Sequence, residues 1–276
     1  YGFVQPVLGP LADRFGKAQA MIACLLLLTA CSFLSSTATS FWMLFVLRVL
    51  AGAACGGSFP VGMALISDFV PLTQRQVMIG RLLTATISGN LLGAAISGVV
   101  ADILHWRSVF VILGIISLAA LLLGFFGLRD LPAGERHPVD IRSVFRRNRA
   151  IFAIPAARIC YITVALEALF LFGIFPYVAI LLRNAGEPRA SIAGLVVAAF
   201  AVGGMIYSLS VRQLLRWLGQ KQIMTAGGAL AALGLFVVAA NPPWQVQAVA
   251  FAAMGCGFYM LHASIQVYVT EFAPAT

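Results

Sequence analysis

Three ionisable side chains stand inside long apolar runs: Glu167 within CYITVALEALFLF, Arg48 within WMLFVLRVLAGAA and His262 within GFYMLHASIQV. An ionised group in such surroundings costs several kcal/mol unless it is paired or hydrated. Glu167 falls about ten residues into its run, near the middle of a helix that spans a bilayer. A carboxyl there can carry a proton or recognise a cation; the alternative is a hydrogen-bonded structural carboxylate. Arg48 lies nearer the outer end of its run, where a long side chain can snorkel to water. His262 is a group that titrates near neutrality or a satisfied interior histidine. Arg158 reads as an anchor, and at nine residues from Glu167 it falls about half a turn away on the same helix, so the two should not pair.

A second set of charges sits in a turn. Gly9-Pro10-Leu11-Ala12-Asp13-Arg14-Phe15-Gly16-Lys17 joins two apolar runs through very few residues. Gly9 permits close helix approach, Gly16 suits a sharp reversal, and Asp13 and Lys17 are spaced to pair locally. Small residues recur every four positions at Ala85, Gly89, Gly93, Ser97 and Ala101, and again at Gly52 and Gly56. Such stripes allow helices to pack closely and slide, and they also occur in static bundles. Phe170, Phe172, Phe175 and Tyr177 form an aromatic run that either lines an apolar cavity or packs against lipid and neighbouring helices.

The elements that position these residues follow from composition. Of 276 residues, 61% are apolar and 10% charged, and mean hydropathy is +0.98. A water-soluble domain carries about 25% charged residues, so this is a polytopic membrane protein. Apolar stretches bounded by charges or turn signals predict helices at 19–38, 41–67, 82–104, 107–128, 157–182, 190–211, 222–240 and 245–270, after an opening stub at 1–12. Period-two alternation is absent, which argues against strands. The chain opens on Tyr1, no cleavable signal peptide is visible, and the apolar runs lack the polar tails that usually end a membrane protein, so a piece of a longer chain is expected. The five cysteines, Cys24, Cys31, Cys55, Cys160 and Cys256, all lie in apolar segments without paired spacing and read as buried thiols.

Net charge is +9, but the basic residues are dispersed between apolar runs, which excludes a nucleic-acid stripe. Loops near 13–17, 71–81, 129–150 and 212–221 hold Arg14, Lys17, Arg75, Arg81, Arg129, Arg136, Arg142, Arg146, Arg147, Arg149, Arg212, Arg216 and Lys221. The alternate connections hold only Arg107, Arg183 and Arg189. The excess of positive charge places the first set in the cytoplasm. Residues 129–150 read as a cytoplasmic linker between a bundle at 1–128 and a second at 151–276.

The two halves repeat. A shift of 203 positions lays Ser67-Asp68-Phe69-Val70-Pro71-Leu72-Thr73 on Thr270-Glu271-Phe272-Ala273-Pro274-Ala275-Thr276, Gly16 on Gly219, Met21 on Met224, Phe33 on Phe236 and Gly52 on Gly255. One ungapped offset serving segments about fifty residues apart indicates duplicated helical bundles. Under that offset the first half lacks its opening helix and the second its last two, so the architecture expected is six helices and six.

The turn G-P-L-A-D-R-F-G-K resembles the G-x-L-a-D-r-x-G-r/k signature between the second and third helices of the major facilitator superfamily. Arg48 with Gly52 resembles the R-x-x-x-G of that family's fourth helix. Gly89-Asn90-Leu91-Leu92-Gly93 is partly similar to the antiporter signature of its fifth, with Ala94 in place of the usual proline and Gly98 as a later glycine. Trp106-Arg107-Ser108-Val109-Phe110 resembles the opening of its sixth. The resemblance covers essentially the whole chain and is nearest to the bacterial drug:proton antiporter branch.

This resemblance implies an all-α major facilitator fold of two six-helix bundles, truncated here at both ends. It also implies a gate in which Asp13 and Lys17 form a cluster with Asp68, flanked by Gly9, Arg14 and Gly16, and a role for Arg48 in proton coupling. In the second half Arg216 and Gln220 replace Asp13 and Lys17, leaving Arg212, Arg216 or Lys221 to pair with Glu271. The function expected is export of a small molecule in exchange for protons by alternating access, in the bacterial inner membrane. The partners are protons, substrate and the lipid bilayer, with no nucleic acid, no cofactor beyond the proton gradient, no metal, and a monomeric state. Proton-coupled uptake and a non-transporting sensor are the alternatives. Enzyme activity is not expected, since His105, His137 and His262 are scattered and no nucleophile or metal-binding motif appears.

Overall fold

The computed structural model describes residues 14–129 and 151–272, together with residues 4, 11, 12 and 149. The stub at 1–12, the linker at 129–150 and the positions Gly9 and Asp13 lie wholly or largely outside that set. Among the described residues there are helices and no strands: α1 (Lys17–Ser36), α2 (Phe41–Phe69), α3 (Leu72–Ile103), α4 (Trp106–Leu128), α5 (Pro155–Phe172), a 3-10 turn η1 (Phe175–Tyr177), α6 (Val178–Asn184), α7 (Ala190–Ala239) and α8 (Trp244–Phe272). Six stretches among them are long and apolar enough to cross a membrane. Large side chains such as Phe41, Trp42, Leu123, Leu209 and Phe236 point outward, while much of the interior is Ala, Gly, Ser and Cys. That distribution suits an integral membrane protein, whose helices associate through small-residue contacts and leave bulk to the hydrocarbon.

The described residues fall into two compact units, one within Tyr1–Ala85 and Ile103–Val144, the other within Thr86–Asp102 and Phe145–Thr276. The division runs through α3. In the first unit α1 packs against both α2 and α4 around Cys31, Leu47 and Ala51. Thr29, Ser32 and Ser35 are buried there, and each hydroxyl donates to the carbonyl four residues back, which satisfies it without a partner helix. Ser40 accepts from the Met43 amide at the start of α2, and Arg107 donates to the Ala38 carbonyl at 2.9 Å, fixing the start of α4 to the end of α1.

The second unit is built on α8, which packs against both arms of α7. Val196, Phe200, Ala231 and Val238 share one core cluster with Phe251, Met254 and Phe258. A straight helix would hold Val196 and Val238 about 60 Å apart. The chain therefore reverses inside α7, at Gly219, whose φ of 73° and ψ of 164° lie where a side chain is strained. Gly203 and Gly255 bring the backbones of α7 and α8 together, since a Cβ on Gly203 would meet the Ala252 carbonyl and one on Gly255 the Phe200 carbonyl.

Internal duplication extends to element boundaries. Phe41 and Trp244 begin helices of 29 residues each, and Phe69 and Phe272 end them, both pairs being 203 positions apart. Gly16 (φ 100°) and Gly219 (φ 73°), related by the same shift, are both positive-φ residues directly preceding an equivalent helix.

Three expected boundaries change. The stretch 71–81 is not a loop, because α3 begins at Leu72. Its residues, including Gln74, Arg75, Met78 and Arg81, are good helix formers, so charge carries the helix out of the apolar layer instead of ending it. Arg75 also donates to the Ser67 carbonyl at 2.6 Å, covering the C-terminal end of α2. Likewise 212–221 is helical except at Gly219. Conversely, 157–182 is not one helix: α5 stops at Phe172 and the chain passes through η1 before α6, since Pro176 has no amide hydrogen to continue the ladder.

Gly219→Ala is expected to lower stability by about 1–3 kcal/mol, the cost of a side chain in that backbone region. Gly228→Ala, at a helical position where a Cβ meets nothing within 4 Å, should be neutral or stabilising. Thermal unfolding in detergent reads both.

Candidate functional site

In the second unit α5 and α8 bring Glu167 and His262 together. Glu167 Oε2 lies 2.9 Å from His262 Nδ1, with the carboxylate side chain 1% exposed and the imidazole 28% exposed. The ring is held on a third side as well, stacked on Phe258 at 5.0 Å between centroids and 18° between planes. Its Nε2 lies 3.1 Å from the Gln266 amide nitrogen one turn further along α8. Glu167 Oε1 is buried without a hydrogen-bond partner. A carboxylate with one oxygen paired to an imidazole and the other bare is equipped to accept and release a proton. Phe172 and Phe175 wall the region, packing on Phe200, Phe251 and Phe258. Phe170 and Tyr177 point outward.

In the first unit Lys17 Nζ contacts Asp68 Oδ2 at 2.5 Å, with side chains 24% and 37% exposed. Lys17 opens α1 and Asp68 sits in the last turn of α2, so each charge opposes its own helix dipole. Neither is well placed alone, and the pairing compensates both. Half-exposed pairs of this kind contribute about 0–1 kcal/mol, a strength that suits release as much as retention. Arg14 is exposed, its guanidinium 5.4 Å from the Phe15 ring.

Arg48 does not snorkel. Its guanidinium donates to Ser35 Oγ at 2.8 Å and to the Cys31 carbonyl at 3.4 Å, and lies 4.6 Å from the centre of the Phe110 ring. Its Nε is buried and unpartnered. The group is thus turned inward among α1, α2 and α4, where π-face and carbonyl contacts replace water.

The glycines divide. Gly56 is buried and Gly52 partly buried on α2. Gly89 and Gly93 face open space, whereas Gly98 is pressed against the Ala190 carbonyl at the start of α7, beside a matching contact of Gly194 with Ala94. Arg212 and Arg216 lie on α7 before Gly219, with no ion pair among the described residues; the Glu271 side chain lies outside them.

Two features escaped the sequence reading. Gln266 is one; the other is Asp102, whose carboxylate oxygens accept from the Ala190 and Ser191 amides at 2.7 and 2.6 Å. Asp102 caps α7 from 88 residues away, in place of the local cap that Arg189 cannot supply. Nearby, the Arg189 guanidinium donates two hydrogen bonds to Glu187 and its backbone amide a third, holding that carboxyl below its ordinary range.

The sequence model of the Major Facilitator Superfamily matches residues 1–276, the whole chain. The chain belongs to that superfamily. It is 26% identical over 255 residues to the multidrug resistance protein MdtG of Salmonella typhimurium, and equally so to that of Salmonella paratyphi B, covering 89% of this chain and 61% of each relative. The chain thus spans about three fifths of the length of these curated relatives. Among solved structures it is similar to a D-xylose-proton symporter, with a TM-score of 0.69 at 18% identity over 99% of this chain and 71% of that one. A bacterial homologue of the human lysosomal transporter Spinster, inward-facing and unoccupied, superposes with a TM-score of 0.58 at 19% identity, covering 98% of this chain and 68% of that one. These structures share the all-α superfamily fold.

A double-mutant cycle of Lys17→Gln and Asp68→Asn should give a coupling of no more than about 1 kcal/mol in the thermal unfolding of detergent-solubilised protein. In the same measurement Asp102→Ala should lower the melting temperature more than Asp102→Asn, which keeps one acceptor for the α7 amides.

Proposed function

We propose that this chain forms the greater part of a secondary transporter that exports a small molecule in exchange for protons by alternating access. Its setting would be the bacterial inner membrane, with residues 129–150 on the cytoplasmic side. The observation that carries this reading is the buried contact between Glu167 and His262, because a carboxylate enclosed at mid-membrane is retained where its charge is used. With the carboxylate ionised, the imidazole donates a charge-assisted hydrogen bond to it. With the carboxylate protonated, the charge-assisted hydrogen bond gives way to a weaker neutral one, and α5 is freer to move against α8. Proton binding thereby changes the balance between conformations, as coupling requires.

The Lys17–Asp68 pair serves as the breakable part of a cytoplasmic gate, with Asp13 its third member. Inward-turned Arg48 supplies a fixed positive charge in the first unit. The direction of transport takes support from the MdtG relatives, which are named for multidrug resistance.

Reconstitution of the full-length protein in liposomes with an imposed pH gradient tests this, with ethidium as the export probe and D-xylose as the uptake probe. Gradient-driven ethidium export, abolished in Glu167→Gln and reduced at least about tenfold in Asp13→Asn, is the expected result. Flux indifferent to the gradient removes proton coupling. Accumulation of D-xylose with inward proton flow replaces export by symport, and binding without flux indicates a sensor.

A further inference from the structure

The imidazole of His262 is gripped at both nitrogens, and the two grips differ in kind. Nδ1 faces a carboxylate, which can only accept a hydrogen bond when ionised, so Nδ1 carries hydrogen. Nε2 lies 3.1 Å from the terminal amide of Gln266, whose nitrogen can only donate and whose oxygen can only accept, so the state of Nε2 goes with the end of the amide it meets. With the amide nitrogen toward the ring and the carboxylate ionised, the arrangement suits one neutral tautomer, Nδ1–H donating to Glu167 Oε2 and the Gln266 amide donating to Nε2. Exposure falls along the same line: Gln266 is exposed, His262 partly buried and Glu167 enclosed.

For a proton to reach Glu167 along this line, it must bond to Nε2, and the Nδ1–H bond must break as a new O–H bond forms on the carboxylate. The ring then holds its hydrogen on Nε2, facing a donor that repels it. A primary amide removes the conflict by turning over, which presents its carbonyl oxygen to Nε2–H in the position the nitrogen held. A carboxylate, a hydroxymethyl group too short to reach, or an apolar side chain would not serve both tautomers at this distance.

We infer that Gln266 is a positioning residue whose amide, turned one way and then the other, holds His262 first in its Nδ1–H and then in its Nε2–H form, so that one imidazole passes a proton from water to Glu167. This rests on the reading of Glu167 as the proton carrier. Overall the step is balanced: hydronium gives up one proton to Nε2, the ring gives one from Nδ1 to Glu167 Oε2, and the imidazole returns neutral. Among the described residues, Tyr207 of α7 and Cys256 and Tyr259 of α8 cluster with Ile223 and Met260, and Cys160 and Tyr161 lie on α5 and Tyr268 on α8. Arg158, on α5, lies about 14 Å along the helix from Glu167.

The test uses the full-length protein in liposomes, with Gln266→Glu and Gln266→Met compared with the parent and with Glu167→Gln. The pH at half-maximal ethidium export should move upward by about one unit in Gln266→Glu, whose carboxylate stabilises the imidazolium, and downward in Gln266→Met, which offers neither donor nor acceptor. A merely structural role would lower the rate in both and leave the profiles in place. Nitrogen-15 NMR of reconstituted protein carrying His105→Gln and His137→Gln reads the ring without transport. The parent should show the Nδ1–H form at neutral pH, and Gln266→Glu, with a carboxylate at each nitrogen, a ring protonated at both. Unmoved profiles or an unchanged tautomer, with Glu167→Gln inactive, overturn this inference alone. Export driven by the gradient in Glu167→Gln overturns the reading of the carrier and this inference with it.

Discussion

A carboxylate cannot stay ionised in hydrocarbon unless something nearby supplies what water would have supplied, and the second unit is arranged around that requirement. Glu167 has its imidazole, the imidazole has a phenyl ring beneath it and an amide at its far nitrogen, and the ring in turn belongs to the Phe cluster that packs α7 against α8. Polar group and core are thus one assembly. The position of α8 is fixed by close contacts with both arms of α7, and α8 holds His262 where α5 presents Glu167.

The repeat makes the two units comparable position by position, and the comparison separates scaffold from chemistry. Helix boundaries and the positive-φ glycines recur at a shift of 203, so the folding instructions are shared. Side-chain chemistry is not. Arg48 corresponds to Phe251, fully buried, and its partner Ser35 corresponds to Val238, also fully buried. Lys17 corresponds to Gln220, whose amide nitrogen is buried without a partner. One copy has kept an inward cation at the place where the other has filled the same space with an apolar core.

Much of this was legible in the residues. Composition and the charge alternation between connections gave the membrane class and most spans, and Gly16 with Gly219 marked the duplicated turns. Boundaries failed where helix propensity and charge disagree: residues near Arg75 and Arg81 are polar enough to suggest a loop yet favour helix, and Pro176 sits in a run apolar enough to hide a break. Glu167 and His262 were each visible as ionisable groups in apolar runs, but their meeting was not, because two residues 95 positions apart leave no local pattern. Gln266 and Asp102 gave still less signal. An amide four residues from a histidine and an acid at the end of an apolar run are both ordinary, and only packing gives them partners. The small-residue stripe was read from period alone; among the described residues a close backbone contact is seen at Gly98, against the Ala190 carbonyl.

With small residues at the closest helix contacts, tolerance to change is lowest at those contacts. At exposed positions such as Leu123 and Phe236, one large apolar side chain can replace another at small cost. Inside, where carbonyls of adjacent helices approach Gly203 and Gly255, a single added methyl has nowhere to go. Divergence among copies of this gene should accordingly accumulate on the greasy exterior, and the smallest residues should be the slowest to drift.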